Sequence, residues 1–147
     1  MPKSIKKYID SEWSWRTPSP FAQAVEFGDQ IFVSGQQALN AEGELVAPKD
    51  IASQTRCVFE NMKSTLERAG LKFSDLVRLN TYYVFDGADE DATRFWEEMT
   101  RVRLEYFPDP GPAATAVRIK GMPYPGQLIQ IEGIALRSSS RQQRKRI

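Results

Sequence analysis

The sequence predicts an α+β fold, a single mixed β-sheet with two helices packed on one of its faces. Three observations predict it. Residues 51–69 and 89–106 each carry apolar side chains three and four positions apart, the period of a helix with one buried stripe. Residues 76–85 alternate with the period of a strand. Short β-branched and aromatic runs, bounded by glycine and proline, flank these segments at 22–35 and 113–137. The order is therefore β-β-α-β-α-β-β, and 147 residues with 41% hydrophobic content supply one core. Helices on one side of the sheet leave its other side to be buried, and self-association is the simplest way to do that.

Each element has a local reason. Residues 22–27 and 30–35 are separated by Gly28-Asp29, which tolerate positive φ and so close an antiparallel hairpin. The polar stretch from Asn40 to Glu44 reads as a connection or a small extra hairpin. Asp50 is placed to cap a helix over 51–69, with Gly70 just past its end and Val58, Phe59, Met62, Leu66 and Ala69 on its buried face. In 76–85, Val77, Leu79, Thr81, Tyr83 and Phe85 alternate with Arg78, Asn80, Tyr82 and Val84. Asp89, Glu90 and Asp91 set negative charge in the first turn of the second helix, where the macrodipole favours it. Phe95, Met99, Val102 and Tyr106 form its stripe, and Pro108 and Pro110 stop it. Strands over 113–120 and 128–137, joined by the glycine- and proline-containing loop 121–126, complete the sheet.

Composition narrows the chemistry. The chain has no histidine and a single cysteine, so the commonest general base, the commonest zinc ligand and an internal disulfide are all excluded. Cys57 falls inside the first helical pattern with no histidine to activate it, and it is left out of the site. Carboxylates, arginines, tyrosines, hydroxyls, backbone dipoles and water remain, and neither a metal nor an organic cofactor is called for. No run approaches the roughly 20 apolar residues of a membrane helix, and the N-terminus lacks an apolar signal region, so a cytoplasmic protein without a membrane partner is expected.

Residues 1–137 read as a single domain and 138–147 as a basic tail too poor in apolar side chains to order itself. The tail holds Arg141, Arg144, Lys145 and Arg146, which leaves the body with 16 basic against 19 acidic residues. No aromatic interleaves the basic run to stack on bases, and nucleic acid is not the expected partner.

Two C-terminal segments, Gly111-Pro112-Ala113-Ala114-Thr115-Ala116-Val117 and Ile129-Gln130-Ile131-Glu132-Gly133-Ile134-Ala135, together with Pro20-Phe21-Ala22-Gln23-Ala24 and Phe32-Val33-Ser34-Gly35-Gln36, resemble the signature of the RidA/YjgF/UK114 (Rid) family of enamine and imine deaminases. The resemblance continues through Gln54-Thr55-Arg56, Glu60 to Lys63 and Ala69-Gly70, and spans about residues 20–136. It implies a chorismate-mutase-like fold, a homotrimer whose sheets form an inner barrel, and small-molecule sites in the clefts between subunits.

The resemblance also implies site residues. Glu132 stands where the family's glutamate aligns the attacking water, and Ser34 and Gly35 stand where backbone groups line the pocket. Ala114 occupies the place of the arginine that grips a substrate carboxylate, Phe21 that of a tyrosine, and Thr100 that of an asparagine on the second helix. Thr115, Ala116, Tyr83 and Arg118 complete the expected substrate-binding set, with Arg118 on the same strand face as Ala114 and Ala116. Arg16, Arg101 and Arg103 are the other cations available to replace the missing guanidinium; Trp13, Trp15 and Tyr124 are candidates to cap the pocket. The implied function is a divergent enamine or imine deaminase acting on a small molecule other than a simple 2-imino acid, with release of ammonia. The alternative is a non-catalytic, small-molecule-binding or regulatory trimer.

Overall fold

A computed structural model describes residues 6–10 and 21–138. The expected elements are present, with one addition: strand β1 (Lys7–Ile9) precedes β2 (Ala24–Phe27) and pairs with it antiparallel. β3 (Gln30–Gln37), α1 (Ile51–Arg68), β4 (Leu76–Val84), α2 (Asp89–Leu104), β5 (Ala113–Ile119) and β6 (Ile129–Leu136) follow. Trp13, Trp15, Arg16 and all of the basic tail except Ser138 lie outside the described residues.

The six strands form one sheet in the order β1-β2-β3-β6-β4-β5. All neighbours are antiparallel except β4 and β5, which α2 joins as a parallel pair. The Gly28-Asp29 turn forms as expected, with Gly28 at φ +63°, and a single bridge between Leu39 and Leu45 makes the small extra hairpin. Two bulges break the strict alternation. In β3 the register shifts between Val33 and Gln36, so Ser34 and Gly35 form the irregular step while Val33 and Gln36 are both buried. In β4 it shifts between Leu76 and Arg78, which buries Leu76 and turns Val77 outward, against the alternation expected of that strand.

α1 is fixed at both ends by the chemistry its sequence announces. Asp50 Oδ1 accepts from the Ser53 amide at 3.0 Å and its Oδ2 from Ser53 Oγ at 2.7 Å. Gly70, at φ +72°, turns the chain out of the helix and lets the Leu71 amide reach the Leu66 carbonyl at 2.8 Å. Between these ends Val58, Phe59, Met62 and Leu66 pack on Ile31, Val33, Leu79, Ile129, Ile131 and Ala135 from the sheet. α2 ends two residues before the expected Tyr106 and buries fully only Met99 and Val102. Phe95 and Tyr106 lie at the core margin, Phe95 stacked on Tyr83 at 6.0 Å and Tyr106 against Phe59 at 5.0 Å.

Gln54 carries the join between α1 and the last loop. It is fully buried, its Nε2 donates to the carbonyls of Ala47 (3.0 Å) and Gly126 (2.8 Å), and its Oε1 accepts from the Leu128 amide (2.8 Å). A buried amide with every such partner is stable; its removal strands the Leu128 amide and takes one of two donors from the Ala47 and Gly126 carbonyls, which keep the Asp50 and Lys49 amides.

Among the described residues nothing covers the face away from the helices, and Phe32, Val117 and Leu136 are each more than two-fifths exposed on it. β5 is an edge strand with every residue but Ile119 exposed.

Gln54→Ala is expected to destabilise the protein by about 3 kcal/mol, read as a lowered urea midpoint at unchanged slope. Asp50→Ala is expected to cost about 1 kcal/mol near neutral pH. The hydrogen bonds from Ser53 hold the Asp50 carboxyl below its usual value of 3.8 in the folded state. The cap's contribution is therefore complete above the unfolded value and is lost as pH falls through the folded one. Urea titrations at pH 6 and pH 3 should show the wild-type advantage over Asp50→Ala shrinking at the lower pH.

Candidate functional site

The expected site residues fall into three groups that one protomer does not bring together. The first lies on the helix side of β5. Ala114 and Ala116 pair in register with the buried Leu79 and Thr81, so they face the helix layer, but their methyl groups do not fill the space beneath α2. A cavity of about 370 Å³ results, and Thr100, Trp96, Met99, Arg103 and Phe107 line it from the other wall. Thr100 spends its hydroxyl within the helix, on the Trp96 carbonyl at 2.9 Å.

Arg118 has the same strand parity as Ala114 and Ala116, yet it does not line the cavity. It donates to the carbonyls of Phe85 (2.8 Å) and Gly87 (3.4 Å) and pairs with Asp89 at 2.7 Å, which ties the end of β5 to the start of α2. Tyr83, its register partner, is occupied by its stack on Phe95. Among the described residues Arg103 is the cation that does reach the cavity. Its Cζ lies 5.8 Å from the centroid of the Phe107 ring, and burial lowers its pKa. Arg101 pairs instead with Glu97 along the helix.

The second group is the β3 bulge. Ser34 Oγ donates to the Ala22 carbonyl at 2.6 Å, which ties the β3 bulge to the segment entering β2, with the exposed Phe21 just before it. A Cβ on Gly35 would collide with the amide of Gln130, so glycine is what admits that side chain. Gln37 Nε2 donates to Gln130 Oε1 at 3.2 Å, and Gln37 Oε1 is buried without a partner.

Glu132 centres the third group, on the uncovered face. It is level with Asn80 and Thr115 across β6, β4 and β5. Its Oε1 accepts from Asn80 Nδ2 and from the Tyr82 hydroxyl, both at 3.1 Å, and the hydrogen bond to this carboxylate raises the Tyr82 pKa above 10.0. Arg78 extends the row by donating to Asn80 Oδ1 (3.2 Å) and Thr115 Oγ1 (3.0 Å). A shallow depression of about 190 Å³ opens beside Glu132, with Phe32, Arg78 and Ile134 in its walls. Thr115 thus turns away from Ala114 and Ala116, and Glu132 lies on the opposite side of the sheet from the Ala114 cavity.

Trp96, Gln130 and Tyr82 are not among the residues expected at the site, and Arg103 is expected there only as one of several cations that could replace the missing guanidinium. Trp96, Thr100, Arg103 and Phe107 recur at spacings of four, three and four, a stripe distinct from the core stripe of α2 and readable in the sequence. Gln130 shares a strand face with Glu132, and alternation alone offers no way to choose between the two. Among the described residues no cluster of acids and cysteine has the arrangement of a metal site, and no helix is long and apolar enough to cross a membrane.

The family model described as Endoribonuclease L-PSP matches residues 14–137. The chain belongs to this family, that of the Rid proteins. It is 35% identical over 130 residues to a RutC family protein of Pyrococcus abyssi, covering 88% of this chain and 96% of that one. It is 33% identical over 135 residues to the 3-aminoacrylate deaminase RutC of Acinetobacter baylyi, covering 92% and 98%. The crystal structure of RidA from an Antarctic Psychrobacter superimposes with a TM-score of 0.73 at 27% identity, covering 88% of this chain and 98% of that one. The α+β fold with two helices on one face of a mixed sheet is that of these Rid structures.

The Glu132–Tyr82 contact has a direct readout. Glu132→Gln removes the charge that holds the Tyr82 proton, and a difference titration of tyrosine absorbance should show one group returning towards pH 10.0. A titration unchanged by the substitution would mean that the two side chains do not meet in solution.

Proposed function

We propose that this Rid protein is a homotrimer that binds a small enamine or imine, other than a simple 2-imino acid, in clefts between subunits and hydrolyses it to a carbonyl compound and ammonia. The cavity beside Ala114 carries this reading, because it is open to solvent beside an edge strand whose residues are exposed. β6 and β4 stand between β3 and β5, so at about 4.8 Å per strand the Ser34–Gly35 bulge is roughly 14 Å from the Ala114 strand. A small ligand cannot touch both in a single chain. A neighbouring copy docked along β5 would supply the second wall and cover the exposed Phe32, Val117 and Leu136.

The chemistry needs water directed at the C=N carbon and a proton for the departing nitrogen. Glu132 is suited to the first task, since Asn80 and Tyr82 fix one carboxylate oxygen and leave the other available to accept from water. Because Glu132 and Ala114 face opposite sides of the sheet, the acid serving a ligand in the cavity belongs to an adjacent subunit. Water adds to carbon, the nitrogen takes a proton, and the C–N bond breaks to release ammonia. The A. baylyi relative, named as a 3-aminoacrylate deaminase, supports this class of reaction. RNA cleavage finds less support, as the chain has no histidine and its body is mildly acidic.

A second reading, binding without turnover, is favoured by the neutral character of Ala114 and of Gln130 at the Gly35 corner. Ammonia release from a panel of enamines and imines generated in situ separates the two. Turnover that falls by about 100-fold or more in Glu132→Gln supports hydrolysis. Saturable binding with no ammonia from the wild type identifies the sensor, and a monomer in solution would remove the shared site altogether.

A further inference from the structure

We infer that Arg103 is the anion-reading residue of the α2–β5 cavity, so that this site selects a ligand joining an apolar body to a planar anion such as a carboxylate. The inference rests on the reading that the cavity is a ligand site and adds what that ligand carries. Arg103 projects from the last turn of α2 into a cavity whose other walls include Met99, Phe107, Ala114, Ala116 and Ile131. A guanidinium taken partly out of water is costly unless an anion meets it.

Arg56 meets Glu105, Arg118 meets Asp89 and Arg137 meets Glu26, each within 3.0 Å. Arg103 has no carboxylate within ion-pair distance among the described residues. Asp109 also lines the cavity and has a contact of its own, and burial is the one influence that shifts the Arg103 guanidinium, with no carboxylate charge acting on it. Attraction to the C-terminal carbonyls of α2 accounts for a cation in this turn but not for one that lies over the Phe107 ring and faces the cavity. The ring supports the guanidinium on one side and leaves its in-plane N–H groups to form the paired bonds a carboxylate accepts.

The position also defines a difference in specificity. A guanidinium at residue 114 would hold the anion against β5; one at residue 103 holds it against α2, and the space beside Ala114 and Ala116 is left for an apolar substituent. A bulkier ligand in a displaced pose is the consequence.

The test uses the full-length protein and two probes of equal shape, benzoate and benzamide, titrated by calorimetry. Wild type is expected to bind benzoate at least about tenfold more tightly than benzamide, the scale of a charge-assisted pair over a neutral one. Arg103→Met, which keeps the apolar stem, should bind both probes alike with wild-type affinity for benzamide, and Arg103→Lys should keep part of the preference. Absence of the preference in wild type, its persistence in Arg103→Met, or binding of neither probe overturns the inference. Should Arg103→Met fail to fold, Ala114→Glu places a repelling carboxylate on the exposed strand wall. It should abolish the preference, and a preference that survives it also overturns the inference. The preference without ammonia release would sink the hydrolase reading alone, whereas ammonia release without the preference would sink only the role of Arg103.

Discussion

The constraint on which the rest depends is the unequal cover that two helices give a six-stranded sheet. α1 packs on β3 and β6 and completes the core there with Val58, Phe59, Met62 and Leu66. α2 is left to shelter β4 and β5, and it fully buries only two of its side chains. Small residues at 114 and 116 then leave a void where larger ones would have filled it, and Arg118 holds the strand to the helix start on one side of that void. The cavity therefore follows from side-chain volume and helix placement, with Arg118–Asp89 tying the start of α2 and Arg56–Glu105 its end.

Polar order elsewhere keeps this arrangement rigid. Gln54 pins the loop before β6 to α1, and Gln36 joins the β3 bulge to Gln23 and to Thr65 of α1. Both glutamines are buried with their partners in place, so they specify register as well as contributing stability. The bulge that Gln36 holds is the step that carries Ser34 and Gly35. On the uncovered face the row Thr115–Arg78–Asn80–Glu132–Tyr82 performs a similar service for a carboxylate that would otherwise sample many rotamers.

Periodicity made the helices, the central strand and the Asp50 and Gly70 boundaries legible, because each depends on neighbours within a few residues. β1 was not legible, since three residues acquire strand character only by pairing with β2. The two bulges were hidden for a related reason: a one-residue slip is decided by the partner strand, and it reversed the expected facing of Val77. At the site, strand parity correctly put Arg118 on the face of Ala114 and Ala116, yet long-range pairing with Asp89 decided where its charge went. Arg103 shows the converse. Its sequence neighbourhood reads as solvated helix, and the departure of the chain past Phe107 and Pro108 encloses it.

The chain's departures from the deaminase pattern fit together when the cavity is considered as a whole. Replacing a strand guanidinium by Ala114 removes a charge and several heavy atoms from one wall, which lowers the polarity and raises the volume there. A cation on the facing helix supplies a positive charge at a different position. Electrostatics at this range depends on where the charge sits and on how dry it is, so the two arrangements discriminate ligands differently even at equal net charge. The strand arrangement favours a compact ligand whose anion lies beside the sheet. The helix arrangement, with methyl groups opposite the guanidinium, favours a ligand long enough to span from α2 to β5, and the apolar end of such a ligand stabilises the complex by displacing water from the alanine wall.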